Sequence, residues 1–295
     1  MALLDKDTPQ AEPPPPPRGE HPRRRPDFGR SLRWLDETGD HFIFHLTAVL
    51  WIPRTLRRYL KEVQRLLAEV VFGSGGLGVI GGTVGVMIGM TLATGTVVGL
   101  QGYAAMNQLG TAAFTGFISA YFNTREIAPL VAGLALSATV GAGFTAQLGA
   151  MRINEEIDAL EGMGIRSMPY LVTTRIIAGV VAIVPLYGIG LLSSYLASRL
   201  VTVMVNGQSP GTYDHYFNLF LSPQDVLLSG LKVLIFSVIV ILAHCYYGFT
   251  AKGGPAGVGI AVGRSVRNAI VIISVTDFFL SLAIWGATTT VRVAG

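Results

Sequence analysis

The feature that most constrains this chain is a stretch of 55 residues, Val70 to Thr124, that contains no Asp, Glu, Lys, Arg or His. A second uncharged stretch covers residues 127–151. Soluble domains average about a quarter charged residues, whereas this chain of 295 residues has 14%, with a mean hydropathy of +0.52. About 20 consecutive apolar residues span the hydrocarbon core of a bilayer. The chain is therefore predicted to be an integral membrane protein.

The apolar runs predict an all-α fold with five transmembrane helices, at about residues 77–103, 127–149, 171–198, 226–248 and 268–290. The apolar segment 104–124 is interrupted by polar residues and glycine, so we expect a connecting or re-entrant segment and not a sixth span. Glycines four residues apart in the first span favour close helix packing, within the fold or at a dimer seam. Room for a ligand is the alternative.

Lys and Arg cluster beside alternate ends of the spans, which predicts their orientation. Lys and Arg are concentrated in the N-terminal flank, in residues 150–175 and in residues 249–267. The other two segments between spans, residues 104–124 and 200–225, contain neither Lys nor Arg. Cytoplasmic flanks carry the excess of Lys and Arg. The N-terminus is therefore predicted to be cytoplasmic and the C-terminus periplasmic.

The N-terminal region precedes the first span and divides into two parts. Residues 1–30 contain eight of the 15 prolines, which predicts a disordered Pro/Arg-rich cytoplasmic tail. The apolar run 42–52 is too short to span a bilayer. Apolar residues then recur every three or four positions from Leu56 to Val70, with five basic residues elsewhere on the helix. Residues 31–72 are therefore predicted to form an amphipathic interfacial region, followed by a membrane domain at 73–295.

Signatures of enzymes and of nucleic-acid binding are missing from the sequence. The G-x-G-x-x-G match at residues 73–78 has no acidic residue about 20 positions on, and no Gly-Lys dipeptide exists to form a P-loop. The five histidines are scattered, and the single cysteine, Cys245, cannot form a multi-thiolate metal site. The basic residues flank apolar segments, which argues against nucleic acid. We expect no catalytic residues, no metal and no cofactor on this chain.

A run of acidic residues stands out between the second and third spans. Ile153, Ile157 and Leu160 recur at i, i+4 and i+7, which predicts a short helix within residues 151–164. The acidic residues on its other sides are Glu155, Glu156, Asp158 and Glu161. Acids are unusual on a flank predicted to be cytoplasmic, so a docking face for a basic partner is favoured over a solvated loop.

Three further ionisable residues lie in or beside the spans. Asp277 falls within the fifth span, where a carboxylate needs a partner, and Arg175, Lys232 and Ser274 are the candidates. Its role is either a structural hydrogen bond or a proton relay. Arg125 and Glu126 are predicted at the outer end of the second span, where they could pair with each other or hold a lipid headgroup.

Several stretches of the sequence resemble the MlaE/YrbE permeases. They are residues 99–103, 125–129, 146–152, 155–164, 170–172 and 277–280, and the resemblance covers roughly residues 40–292 in order. The Pro-rich extension makes the chain most similar to the YrbE permeases of actinobacterial Mce lipid-transport systems. The resemblance implies an MlaE-like fold in the inner (plasma) membrane and the permease subunit of an ABC transporter that moves lipids such as fatty acids, phospholipids or sterols.

The resemblance also implies partners and site residues. A second permease of the same family, identical or different, pairs with this chain, two cytoplasmic ATPases bind ATP and Mg²⁺, and Mce-domain proteins stand on the outer side. The acidic segment is implied to be the coupling helix that contacts the ATPase, through Ile153, Glu155, Glu156, Asp158, Leu160 and Glu161. The lipid cavity is implied to lie beside Val97, Leu100, Gln101, Tyr103, Arg125 and Glu126.

Two other functional classes remain as alternatives. A secondary transporter or channel driven by an ion gradient would carry more ionisable residues in its spans and an inverted repeat. A non-conducting structural subunit would keep the docking helix but lack a cavity.

Overall fold

The structure, a computed structural model, describes residue 39, residues 41–72 and residues 82–286, and the statements below concern these residues. The predicted tail at 1–30 lies outside them. The described part of the chain is helical, and no strand occurs in it. Its helices, numbered in chain order, are α1 His41–Leu50, α2 Ile52–Arg58, α3 Leu60–Phe72, α4 Thr83–Gln108, α5 Ala112–Ile153, α6 Glu156–Gly162, α7 Met168–Val205, α8 Pro210–Phe220, α9 Pro223–Phe249 and α10 Gly254–Trp285.

Five of these helices, α4, α5, α7, α9 and α10, are long and apolar enough to cross a membrane. They confirm the predicted number of spans and make the chain a multi-pass membrane protein. Because successive spans run in opposite directions, residues 154–167 and 250–253 lie at one end of the bundle, which we call the acidic-loop end. Residues 109–111 and 206–222 lie at the opposite end.

The segment 104–124 is not the connecting or re-entrant segment that its polar residues predicted. Residues 104–108 complete α4, and after a short link the chain is helical again from residue 112. Two of its polar side chains form hydrogen bonds within the protein: the Thr115 hydroxyl donates to the Ala112 carbonyl, and the Asn123 amide nitrogen donates to the hydroxyls of Ser119 and Ser198. The second span therefore begins about 15 residues earlier than the apolar run alone suggested.

Helix α5 is interrupted by two π-helical turns, at Asn123–Ile127 and Ser137–Gly141. Each turn of this kind inserts a residue into the i to i−4 hydrogen-bond ladder, and π-helical turns are frequent at functional sites. The first turn contains Arg125 and Glu126, so it sets the directions in which these two side chains leave the helix.

The glycines of α4 serve packing within the fold. A Cβ atom on Gly95 would lie 2.4 Å from the Ser194 carbonyl oxygen of α7, and one on Gly99 would lie 2.8 Å from that of Ser198. Since both obstructions are backbone atoms, α4 and α7 approach this closely only with glycine at these positions. The prediction of glycine-mediated packing is confirmed for this pair of helices.

We expect Gly95→Ala to lower the free energy of unfolding by about 1–3 kcal/mol, because the added methyl group forces α4 away from α7. Thermal unfolding of the purified protein in detergent measures the effect. Gly89→Ala, on the same helix, is the matched control, since a Cβ there meets no atom within 4 Å. Equal losses in the two variants would show that helix contact at Gly95 is not the cause.

The predicted amphipathic stretch is two helices, α2 and α3, separated at Tyr59. In α3, Val63, Leu66 and Val70 are buried, whereas Leu56 of α2 and Leu60 are more than 40% exposed. The buried face of α2 contains Thr55 instead, whose hydroxyl donates to the Pro169 carbonyl at 3.4 Å. Only part of the apolar stripe thus contacts the protein, and Leu56 and Leu60 face outward.

Candidate functional site

A cluster of mostly buried charged side chains lies within the bundle, towards the end opposite the acidic loop. It joins α5, α9 and α10 and consists of Arg125, Glu126, Asp225, Lys232 and Asp277. We call it the charge cluster. A charged side chain inside a bilayer is costly and pairs within the protein, so this cluster is the most unusual chemistry in the described spans.

Arg125 and Asp225 form the half of the cluster nearest the opposite end. The Arg125 Nε and Nη2 atoms donate to Asp225 Oδ2 at 3.1 and 2.7 Å. The other carboxylate oxygen accepts from Trp285 Nε1 at 2.8 Å. The Arg125 guanidinium also lies 4.2 Å from the ring centroid of Tyr121. The aspartate at the start of α9 is thereby tied to α5 and to the last residue of α10.

Lys232 is the centre of the other half and is fully buried. Its Nζ lies 2.7 Å from Asp277 Oδ1 and 3.2 Å from Glu126 Oε2. It also donates to the Ser281 hydroxyl at 2.6 Å and to the Arg125 carbonyl at 3.0 Å. The Ser281 hydroxyl in turn donates to Glu126 Oε1 at 2.8 Å. One ammonium group therefore connects two carboxylates on different helices.

The structure shows which of the predicted pairings of these residues occur. Lys232 is the partner of Asp277, whereas Arg175 donates to the Leu171 carbonyl and to Gln147, and Ser274 donates to the Ile270 carbonyl. The suggested pairing of Arg125 with Glu126 is wrong, because each is bound to a different residue of α9. Adjacent residues of a helix point in different directions.

Asp225 was assigned to a loop by the sequence and was not recognised as part of a site. It lies in the first turn of α9, seven residues before Lys232, so the two share a helix face. This spacing is the signal that could have revealed the cluster. Glu126 is the member with the greatest access to the surroundings, since its side chain is 36% exposed.

The acidic segment at the other end of the bundle is not one helix over 151–164. Helix α5 ends at Ile153, the chain turns at Asn154 and Glu155, and α6 covers only Glu156–Gly162. Glu155 has a φ of 59°, in the left-handed region, which redirects the chain between the two helices. Ile153 therefore belongs to the preceding helix and does not extend the face formed by Ile157 and Leu160.

In α6 and at Glu155 just before it, the apolar side chains pack against the protein and the acidic side chains are exposed. Ile157 is buried and Leu160 is half-buried, whereas Glu155, Glu156, Asp158 and Glu161 are exposed. Three of the acids accept hydrogen bonds within the chain, and the longest of these bonds, at 3.5 Å, is donated by the Asn154 amide to Glu156. Asp158 accepts from Arg152 at 2.8 Å, and Glu161 accepts from the Ser167 hydroxyl. Glu155 and Glu156 have no ion pair among the described residues, and they present the most available negative charge of this loop.

The residues implied to line a lipid cavity lie on the outward face of α4. Val97 is 56% exposed, Leu100 and Gln101 are exposed, and Tyr103 is half-buried. The opposite face of the helix carries the buried glycines that contact α7. Arg125 and Glu126, the other two residues implied to line the cavity, lie on α5 and form their ion pairs with α9.

The chain is similar in sequence to several known proteins. Residues 76–283 match the sequence model of the family described as Permease MlaE. A "Probable ABC transporter permease protein" of Rickettsia bellii is 28% identical over 252 residues, which cover 85% of this chain and 93% of that protein. "Protein TRIGALACTOSYLDIACYLGLYCEROL 1, chloroplastic" of Arabidopsis thaliana is 29% identical over 198 residues, 66% of this chain and 57% of that protein. A "Probable ABC transporter permease protein" of Synechocystis is 30% identical over 158 residues, 54% of this chain and 60% of that protein.

Proposed function

Because this chain belongs to the MlaE permease family of ABC transporters, we propose that it moves lipids as the permease subunit of such a transporter in the inner membrane. The main support for a lipid substrate is the outward face of α4, where Val97 and Leu100 are exposed within a span. A mainly apolar face of this kind can contact acyl chains but offers few groups to solvate a polar solute. The name of the Arabidopsis relative refers to a glycolipid, which supports the same substrate class.

We further propose that ATP hydrolysis takes place on a separate subunit that docks at the acidic-loop end. The sequence lacks a P-loop, and Glu155 and Glu156 are exposed and form no ion pair among the described residues. The acidic loop would then lie in the cytoplasm, with the N-terminus on the same side. ATP and Mg²⁺ would bind to that subunit, and we propose no metal or cofactor site on this chain.

The proposed coupling follows from the helices that flank α6. Ile157 anchors α6 to the bundle, and the loop connects the end of α5 to the start of α7. A displacement of α6 by the ATPase would therefore move α5 and α7 together. Helix α4 contacts α7 backbone to backbone at Gly95 and Gly99, so the movement would reach the face that carries Val97 and Leu100.

A complete lipid path needs a second surface opposite this face of α4. We propose that a second permease of the same family, identical or different, supplies it, so that the cavity forms between the two chains. Mce-domain proteins on the outer side would receive or deliver the lipid, as in the YrbE branch that the Pro-rich extension favours.

Crosslinking at Val97 tests the lipid path. With benzoylphenylalanine at Val97 in the transporter complex, we expect lipid adducts whose yield changes several-fold when a non-hydrolysable ATP analogue is added. Leu192 of α7 is the matched control because it is an exposed apolar residue of another span. Its adducts with bulk lipid should not depend on nucleotide. Equal and nucleotide-independent yields at the two positions would contradict a lipid path at α4.

A further inference from the structure

Three arginine side chains line one hollow at the acidic-loop end of the bundle, and none of them belongs to the charge cluster. Arg54 and Arg58 come from α2, and Arg166 comes from the segment between α6 and α7. The hollow has a volume of about 270 Å³, and its other walls include Trp51 and Tyr59. We call it the arginine hollow. It lies where α2 meets the segment between α6 and α7.

Two of these guanidinium groups converge on the same aromatic ring. The guanidinium carbon of Arg54 lies 5.1 Å from the ring centroid of Trp51, and that of Arg166 lies 4.8 Å from it. An indole attracts a cation but does not neutralise it. Two cations beside one ring lie within about 10 Å of each other, and they repel unless an anion lies between or beside them. The arrangement therefore favours the binding of an anion.

No carboxylate within the described residues forms an ion pair with the three arginines. Arg65 of α3 shows the contrast, because it is paired with Glu62 at 2.5 Å, and this hydrogen bond holds the pKa of Glu62 below its usual value. Glu161 lines an adjoining hollow together with Trp51 and Arg166. Its oxygen accepts from Ser167 instead, and it lies beyond ion-pair distance from Arg166.

The neighbouring helix indicates the depth of the hollow in the membrane. Helix α1 ends one residue before Trp51 and exposes large apolar side chains, among which Phe42 is 67% and Leu50 is 69% exposed. Such a surface is stable against lipid, and tryptophan is enriched at the level of the headgroups. The arginine hollow is thus placed where phospholipid headgroups are the most abundant anions.

We propose that the arginine hollow binds the phosphate of an anionic phospholipid from the adjoining leaflet. Guanidinium groups bind phosphate with two parallel hydrogen bonds, so one headgroup can contact α2 and the loop that carries Arg166 together. This lipid is a bound ligand and not the transported substrate. Because Arg166 lies four residues beyond the end of α6, the headgroup would also fix the position of the acidic loop.

Native mass spectrometry of the full-length chain in mild detergent tests this proposal. We expect the wild-type chain to retain one phosphatidylglycerol molecule and to bind phosphatidylcholine much more weakly. Arg58→Gln/Arg166→Gln should weaken retention about tenfold, as expected when charge-assisted hydrogen bonds are lost. The matched control is Arg57→Gln/Arg264→Gln, which removes two exposed arginines outside the hollow and should change retention less than about twofold.

Several results would overturn the proposal. Equal loss in both double variants would indicate diffuse attraction to basic residues, and equal retention of phosphatidylcholine would exclude recognition of charge. Displacement of the lipid by an equal concentration of inorganic phosphate would identify a soluble anion as the ligand. Loss of the lipid when the ATPase binds would assign the hollow to an acidic group of that protein.

The single variant Arg166→Gln, in an exposed loop, provides the same measurement if the double variant does not fold. None of these outcomes depends on the lipid path at α4.

Discussion

Replacing Lys232 with methionine is expected to lower the free energy of unfolding by about 3–5 kcal/mol, the usual effect of removing one partner of a buried ion pair. The methionine side chain has a similar length, so the volume is retained and the loss is electrostatic. Asp277 would lose its cation, and Glu126 would lose a hydrogen-bond donor. Thermal or denaturant-induced unfolding in detergent measures the change.

Two further variants distinguish the stability that the ion pair provides from the stability that the lysine side chain provides on its own. Lys232→Met/Asp277→Asn should recover a large part of the stability, because the remaining carboxylate, Glu126, is partly exposed. Lys252→Met removes an exposed lysine from the 250–253 loop and should change stability by less than about 0.5 kcal/mol. If the double variant were as unstable as Lys232→Met, the ion pair would not be the source of the loss.

The same variants test the proton-relay alternative for Asp277. A structural role predicts that the double variant, once folded, transports lipid at a rate close to that of the wild-type chain. A relay predicts that Asp277→Asn abolishes transport even where folding is normal. The contacts of Asp277 support the structural role, since the carboxylate is held by a lysine that is itself fully buried.

Charge reversal at Glu155 and Glu156 is expected to detach the ATPase. In Glu155→Lys/Glu156→Lys, like charges would face a basic docking surface, a juxtaposition that costs several kcal/mol. Copurification of the ATPase should therefore fall at least tenfold, since about 1.4 kcal/mol corresponds to one factor of ten. Both side chains are exposed and neither forms an ion pair among the described residues, so the permease should fold as before.

The control for this experiment introduces the same two lysines elsewhere. Asn107→Lys/Gln108→Lys places them on exposed positions at the opposite end of the bundle, and ATPase copurification should be unchanged. Full copurification and full stimulation of the ATPase by Glu155→Lys/Glu156→Lys would show that the acidic loop is not the docking site. An equal loss in the control would point to a general effect of charge.

The number of spans could be predicted from sequence because a bilayer imposes a minimum length on apolar helices. The start of the second span could not be predicted, because its residues contact distant segments of the chain. Asn123 donates to Ser198 of α7, and a Cβ on Gly116 would lie 2.3 Å from the Tyr213 carbonyl of α8. Such partners are separated by dozens of residues and leave no local pattern.

Periodicity also failed where the helices depart from regular α geometry. The i, i+4, i+7 pattern of Ile153, Ile157 and Leu160 assumes one continuous helix, but the left-handed conformation of Glu155 divides it. Glutamate gives no sequence signal for that conformation, which is typical of glycine and asparagine. In α5, the π-helical turn around Arg125 likewise changes which neighbours its side chains meet.

The site predictions were correct where a physical requirement left few partners. An aspartate within a span needs a cation or a hydroxyl, and one of the three candidates, Lys232, is the partner. The members of the proposed coupling segment and of the α4 face stay predictions, since their roles depend on proteins that bind to this chain.

The pairing of Lys232 with Asp277 has a consequence for how the chain enters the membrane. Each of these residues, alone in a helix crossing the bilayer centre, opposes insertion by about 2.5–3.5 kcal/mol. Helices α9 and α10 are joined by only the four residues 250–253, so they can leave the translocon as one hairpin with the two charges already neutralised. Little of α10 is otherwise buried. We therefore expect an α10 synthesised without α9 to integrate poorly, and the hairpin to integrate as a unit.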